Sequence, residues 1–365
     1  MKIERAIITG GGSGGHIFPA IAIADEIKLR NPDVKILFVG AEGKMEMEKV
    51  PDAGYQIIGL QIIGFQRKLA LSNFLLPFKI IKSLLKARKI VKDFNPQIAV
   101  GVGGYASGPT LKVATMLRVP SVVQEQNSFP GKTNKILSKS VSKICVAYEG
   151  LDRFFPKKKI IMTGNPTRKD MVDTAGKESE GYEFYKFDST KKTILIIGGS
   201  LGARTLNESV IHKLEELKAS GVQVLWQCGK LYHEKLKAEL ESTALGHVKM
   251  VQFIHRMDLA YAIADVVISR AGAISVSELC LVKKPIILVP SPNVAEDHQT
   301  KNAMALVRND AAVLVKDIEA KETLIPRVLE LLANDSESTK LIRQIGTMGK
   351  PNATSDIVDV LEKLI

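Results

Sequence analysis

Residues 9–19 read TGGGSGGHIFP. They follow an apolar run at 3–8 and precede a segment, 17–29, whose apolar residues recur at helical spacing, so the stretch reads as strand end, glycine loop and helix start. Glycines without a Cβ let backbone amides approach a ligand closely, and a helix N-terminus adds partial positive charge, so the unit suits a phosphate. His16 stands at the mouth of the loop, where an imidazole can act as a general base near neutral pH. Gly10, Gly12 and Gly15 also satisfy G-x-G-x-x-G, the dinucleotide fingerprint, but a stretch this rich in glycine meets the pattern cheaply. Glu42, beyond the next strand pattern at 34–39, lies further on than the roughly 20 residues expected for a ribose-binding acid.

The same grammar continues along all 365 residues. Short runs that are apolar on both faces stand at 3–9, 34–39, 56–60, 98–102, 121–124, 143–147 and 160–163, then at 192–197, 222–227, 248–253, 266–269, 285–289 and 312–315. Helical patterns separate them, which predicts parallel sheets built from βαβ units. Residues 191–203, KKTILIIGGSLGA, repeat the opening strand and glycine loop and lead into a helix at 204–217. The fold class is therefore α/β, with two doubly wound Rossmann-like domains in tandem and a ligand expected in the cleft between them. The break falls at Gly164-Asn165-Pro166, giving domains of 1–163 and 164–349. The polar tract 174–191 reads as a mobile insertion, and a last helix within 350–365 is free by periodicity to cap either domain.

Composition narrows the setting. No charged n-region with an apolar core opens the sequence and no apolar run reaches about 18 residues, so neither a cleaved signal nor a membrane span is expected. Cys145, Cys228 and Cys280 lie far apart in apolar segments without metal-ligand spacing, which fits reduced, buried thiols and a cytoplasmic setting. The net charge of +12 belongs to the first half: residues 1–163 hold 25 Lys and Arg against 12 Asp and Glu, whereas 164–365 hold 26 against 27. Residues 53–92 contain no acid at all, and Lys79, Lys82, Lys86 and Lys89 fall on one face of a helix whose other face is apolar. Ahead of that helix, Ile62, Phe65, Leu69, Leu71, Phe74 and Leu76 surround Arg67 and Lys68, a pattern suited to an anionic membrane surface. Nucleic acid is not expected as a partner, because stacking aromatics are scarce.

Further polar clusters stand at strand ends. Residues 101–109, GVGGYASGP, offer a second backbone-lined loop, and 124–132, QEQNSFPGK, gather Glu125, Gln126 and Asn127, which suit a hydroxyl-rich ligand; helix capping is the plainer role for Asn127. In 270–279, RAGAISVSEL, a helix start offers amides to a diphosphate and Glu278 one turn on can take ribose hydroxyls. His298 stands beside Glu296 and Asp297, but no second histidine has metal-ligand spacing. No two aspartates are separated by a single residue, so the chain lacks the D-x-D pair used to hold a metal–nucleotide complex.

Taken in order, GGGSGGHIFPA, GVGGYASGP, QEQNSFPGKTN, GNPTR, GGSLGARTLN, RAGAISVSEL and DHQTKNA resemble the MurG family of glycosyltransferases nearly end to end. That resemblance implies a GT-B fold and a metal-independent, cofactor-free hexosyltransferase. It would move GlcNAc from UDP-GlcNAc to the 4-hydroxyl of MurNAc in lipid I, undecaprenyl-pyrophosphoryl-MurNAc-pentapeptide, to give lipid II for peptidoglycan. It also implies peripheral attachment to the anionic cytoplasmic face of the bacterial plasma membrane through the N-terminal domain, and a UDP-GlcNAc site in the C-terminal one. By motif, Ser13, Gly14 and Gly15 face the donor, with His16 beside them as the catalytic base. Asn127, Arg168, Ser200 and Gln299 match donor-site positions, and Ile254 the position whose backbone meets uracil. Ala273, Ile274, Ser275, Val276, Ser277 and Glu278 match the phosphate and ribose segment. Ser13 replaces a threonine common in the family, and His298-Gln299-Thr300 replaces a double glutamine. The alternatives are another lipid-directed GT-B enzyme, such as a diacylglycerol glycosyltransferase, a nicotinamide-dependent oxidoreductase, and a membrane-binding module without catalysis.

Overall fold

The computed structural model describes residues 2–62, 76–167, 169–241, 243 and 245–365, the side chains of 76–79, 169, 170 and 295 apart. The chain divides into two compact units, 1–167 with 350–365, and 168–349.

The first unit is built on seven parallel strands, β1 (Arg5–Thr9), β2 (Lys35–Ala41), β3 (Gln56–Leu60), β4 (Ile98–Gly101), β5 (Ser121–Glu125), β6 (Lys143–Val146) and β7 (Ile160–Met162), in the order β3-β2-β1-β4-β5-β6-β7. Central strands are covered on both faces and so are apolar on both. Ile8 packs with Ile17, Ala20 and Ile23 of the helix Gly14–Arg30, whereas Ile7 packs with Leu37, Ala87, Val91 and Val113 on the opposite side. β1 pairs with β2 on one side and β4 on the other, Ile7 facing Leu37 and Ala99. The strand order reverses there, so the loops leaving β1 and β4 diverge and open a crevice at the carboxyl edge. Thr9 fixes the start of that crevice: its buried hydroxyl donates to Val39 O at 2.8 Å and Ala106 O at 3.2 Å.

The second unit repeats the plan with six parallel strands, β8 (Thr193–Ile197), β9 (Gln223–Gln227), β10 (Val248–Val251), β11 (Val266–Ser269), β12 (Ile286–Leu288) and β13 (Val313–Leu314), in the order β10-β9-β8-β11-β12-β13. Its reversal lies between β8 and β11. All three cysteines are free and buried, and burial pushes their thiols up, Cys145 and Cys280 to about 12 and Cys228 to about 11.

Three expectations change. The break between units follows Thr167, not residue 163, because the intervening residues are anchored in the first unit. Thr163 and Gly164 both donate to Val146 O at 3.1 Å, Asn165 donates to Gln126 O at 3.0 Å, and Gln124 donates to Asn165 Oδ1 at 2.9 Å. The tract 174–191 is not a loose insertion. It holds the helix Glu178–Tyr185, whose Gly181 lies so close to Ile263 that a Cβ would come within 2.6 Å, and whose Tyr185 hydroxyl donates to Arg256 O at 2.9 Å. A polar helix needs only one buried face to be held. The helix expected at 204–217 is two, Arg204–His212 and Leu214–Ala219, broken at Lys213.

The helix Ala353–Glu362 lies against Gly14–Arg30 in the first unit, with Ile357, Val358 and Leu361 buried. Arg30 ties the two helices, donating to Asp359 at 2.6 Å, Glu362 at 2.9 Å and Ser355 Oγ at 2.7 Å, and to Glu26 on its own helix at 3.0 Å. Leu361→Ala removes a fully buried side chain and is expected to cost about 2–5 kcal/mol of first-unit stability. In differential scanning calorimetry the transition of the first unit should fall while that of the second stays in place.

Candidate functional site

In the first unit the site is a crossing of two glycine loops. The loop after β1 runs into the helix Gly14–Arg30 through Ser13, and the loop after β4 passes over it. Gly104, at φ +80°, leaves no room for a Cβ over the backbone of Gly11; Gly10 is equally tight against Val102. His16 is in the first turn of the helix. Its Nδ1 lies 3.1 Å from Gly11 O and 3.2 Å from Ser13 Oγ. A carbonyl only accepts, so Nδ1 carries the proton and Nε2 is the nitrogen with the lone pair in the neutral ring. That edge of the ring points to Gly103, where a Cβ would stand 2.9 Å from Nε2.

The loop is less open to an anion than its glycines suggest. Gly12 N–H donates to Glu46 Oε2 at 2.9 Å, and a buried carboxyl group therefore lies beneath it. In the first helical turn, the amides of Gly14 and Gly15 have no acceptor within the helix. Glu42, which the dinucleotide reading would need, pairs instead with Lys86 at 2.8 Å, and that contact holds its carboxyl below the ordinary range.

Beside the crossing, the tract after β5 is shaped by Glu125. This buried carboxyl accepts Asn127 N–H at 3.0 Å, Asn127 Nδ2 at 3.3 Å, Gly131 N–H at 3.1 Å and Asn134 Nδ2 at 2.8 Å. Burial pushes its pKa up, against those donors. Asn127 is thus held by Glu125, while Gly131 is the N-cap of the following helix, Lys132–Leu137. Asn134 also lies 3.7 Å from where a Cβ of Gly103 would be, which brings this tract to the His16 side of the crossing.

In the second unit, Gly272 caps the helix Ala273–Val282 with extended backbone. Ala273 and Val276 are buried, Ile274, Ser275, Ser277 and Glu278 half-buried, and Ser277 Oγ donates back to Ala273 O at 3.1 Å. Arg270 is used structurally, donating to Val289 O at 2.9 Å and to Asp317. Gln299 Oε1 accepts Ser291 N–H at 2.8 Å, which turns the Nε2 end of the amide the other way. Ser200 is exposed in the loop after β8, and its backbone carbonyl accepts Lys230 N–H at 3.0 Å. Ile254 is buried just past β10, flanked by Phe253, whose ring meets that of His255 edge-on at 5.1 Å.

Family models describe both halves: the glycosyltransferase family 28 N-terminal domain matches 6–146 and the C-terminal domain 193–357. A Flavobacterium psychrophilum protein named UDP-N-acetylglucosamine--N-acetylmuramyl-(pentapeptide) pyrophosphoryl-undecaprenol N-acetylglucosamine transferase is 53% identical over 100% of this chain and 99% of its own length. A Cytophaga hutchinsonii protein of the same name is 55% identical over 100% and 98%. The crystal structure of Acinetobacter baumannii MurG has a TM-score of 0.77 at 28% identity, covering 99% of both chains. The chain belongs to the MurG family. Its fold is GT-B, and it shares that fold with the calicheamicin glycosyltransferase CalG4, at a TM-score of 0.70 and 13% identity.

For this MurG-family chain the expected residues sort by unit. Ser13, Gly14, Gly15 and His16 are contiguous at the β1 crossing, with Asn127 beside it. Ser200, Ile254, Ala273 to Glu278 and Gln299 all stand at the carboxyl ends of strands in the second sheet. Arg168 lies outside the described residues. Sequence reasoning missed Glu46 and gave no anchoring role to Glu125.

On the helix Leu76–Phe94 the apolar positions divide. Ala87, Ile90 and Val91 face the core, whereas Ile80, Ile81 and Leu85 are 49%, 55% and 62% exposed. They share the outer surface with Lys82, Lys86 and Lys89. The tract 63–75, expected at the membrane, lies outside the described residues, as does the side chain of Lys79. Among the described residues no helix is long and apolar enough to cross a membrane.

Two glycines at positive φ separate close packing from backbone strain. Gly43→Ala, at φ +70° in open space, is expected to cost about 1–2 kcal/mol. Gly104→Ala bears that strain plus overlap with Gly11, so urea denaturation should show a clearly larger loss.

Proposed function

We infer that the chain transfers N-acetylglucosamine from UDP-GlcNAc to lipid I, forming lipid II for peptidoglycan. The observation that carries this is identity above one half, over full length, with proteins named for that transfer. The reaction is an inverting displacement in which the acceptor 4-hydroxyl attacks C1 of the donor sugar from the face opposite UDP, through an oxocarbenium-like state, and an imidazole held by the main chain supports it. His16 is the base: with Nδ1–H held by Gly11 O, Nε2 takes the hydroxyl proton. Ser13 shares the Nδ1 proton, and Gly14 and Gly15 offer first-turn amides to the donor.

In the second unit the amide end of the helix Ala273–Val282 neutralises the diphosphate, assisted by Arg168, without a metal ion. Glu278 takes the ribose hydroxyls, the backbone of Ile254 the uracil, and Gln299, Asn127 and Ser200 the remaining polar groups of the donor. The enzyme works on a lipid substrate, and the cationic helix with its exposed Ile80, Ile81 and Leu85 rests on an anionic cytoplasmic membrane surface.

The deciding assay is transfer of labelled GlcNAc from UDP-GlcNAc to lipid I with EDTA present. Wild type should turn over; product on diacylglycerol and none on lipid I would select the alternative acceptor. His16→Ala should lower kcat by roughly 10²- to 10⁴-fold with little change in KM for UDP-GlcNAc. Glu278→Ala should instead weaken UDP binding, and a mutant that bound UDP as tightly as wild type would remove Glu278 from the donor site.

Membrane attachment has its own readout. Coulomb attraction fades over a Debye length of about 8 Å at physiological salt, whereas apolar insertion does not. Pelleting with anionic vesicles should fall with added salt without vanishing. Lys82→Gln with Lys89→Gln should remove much of the salt-sensitive part, and equal pelleting at every salt concentration would place the contact elsewhere.

A further inference from the structure

The hold on the His16 ring reaches further back than the glycine loop. Nδ1 donates to Gly11 O at 3.1 Å, and the other end of that same peptide group, Gly12 N–H, donates to Glu46 Oε2 at 2.9 Å. In a trans peptide the C=O and N–H point in opposite directions, so one rigid planar unit spans from carboxyl group to imidazole. Glu46 is itself fixed. It is 0% exposed, it stands in the first turn of the helix Glu46–Asp52, and its Oε1 accepts the N–H of Ala41, the last residue of β2, at 3.0 Å. The loop is built around it: a Cβ on Gly40 would come within 2.6 Å of Glu46 Cγ, and one on Gly11 would overlap the carboxyl group.

The geometry points to Glu46 as a positioning residue for the base, in a carboxyl–peptide–imidazole relay where the Gly11–Gly12 peptide replaces the direct carboxylate–imidazole bond of a Ser-His-Asp triad. This rests on the reading of His16 as the base. Glu46 does two things through the peptide. It turns the Gly11 carbonyl toward Nδ1, which keeps the proton there and the lone pair on Nε2. It also draws on the Gly12 N–H, and hydrogen bonds in series polarise one another, so the carbonyl becomes a stronger acceptor for the imidazolium formed when Nε2 takes the acceptor's proton. Glu46 receives no proton. The proton moves from the 4-hydroxyl to Nε2, and the Nδ1 proton stays where it was.

The test is Glu46→Gln, which preserves shape but gives one acceptor oxygen in place of two and sets an NH2 group against a backbone N–H. The folded variant, checked by circular dichroism and thermal melting, should lose roughly 10- to 100-fold in kcat, the range for groups that orient a functional imidazole from behind. KM for UDP-GlcNAc should change far less than kcat, because the diphosphate, ribose and uracil contacts proposed in the second unit are untouched. The second readout is ¹⁵N NMR of histidine-labelled protein at a pH where the ring is neutral, with the His16 signals assigned by their absence in His16→Ala. Wild type should show a protonated Nδ1 and an unprotonated Nε2; Glu46→Gln should show mixed tautomers.

Should Glu46→Gln fail to fold, Gly11→Ala, whose Cβ displaces the carboxyl group, gives the same two readouts. An unchanged tautomer in the folded variant overturns the relay, whether or not kcat falls. Undiminished kcat in His16→Ala overturns the base assignment instead, and the tautomer comparison still reports on Glu46.

Discussion

At the carboxyl edge of the first sheet the backbones of two loops approach until no Cβ fits between them. Gly104 lies on Gly11, Gly10 on Val102, and Glu46 fills the space a side chain on Gly11 would take. The roles proposed for His16 and Glu46 depend on that closeness. It sets the Gly11 carbonyl against His16, and it brings Gly103 between the imidazole and the tract anchored by Glu125. The cost is backbone freedom surrendered at several glycines, and the return is a histidine whose tautomer is fixed by the main chain.

The two units repeat one architecture with different hydrogen bonds in their loops. In the first, the amide of Gly12 is turned down to a buried carboxyl group and away from any ligand over the loop. In the second, the helix Ala273–Val282 starts at a glycine with extended backbone. An anion binds best where amides converge without a carboxylate behind them, which favours the second unit for the diphosphate. Carboxyls at 46 and 125 are spent inward, on amides and on Asn134, to give loops a single shape.

Most of this architecture was legible. The thirteen strands among the described residues stand where apolar runs placed them, the central ones because a strand covered on both faces must be apolar on both. The helix carrying Glu278 and the loop carrying His16 were legible for the same local reason: glycine, then helical period. What escaped depends on distant partners. Nothing at Glu46 distinguishes it from Glu42 or Glu48 along the chain, yet one lies buried under a loop, one pairs with Lys86 and one with Lys49. The tract 174–191 was misread because a polar composition hides the few residues, Gly181 and Tyr185, that do the packing. The break between units was set four residues early because Asn-Pro marks an irregular backbone without saying which unit holds it.

The return of residues 350–365 to the first unit has a consequence for biosynthesis. Ribosomes deliver the chain from its N-terminus, and domains ordinarily complete themselves in that order. Here the first sheet is fully synthesised by Met162, but the outer side of Gly14–Arg30 stays uncovered, and Arg30 lacks its partners at 359 and 362, until the whole second unit has emerged. The second unit, uninterrupted from 168 to 349, is the one able to finish first. Translation that stops just after residue 349, before the last helix is made, therefore releases a protein with an intact second unit and a bare apolar stripe on the first, a surface that chaperones and proteases recognise.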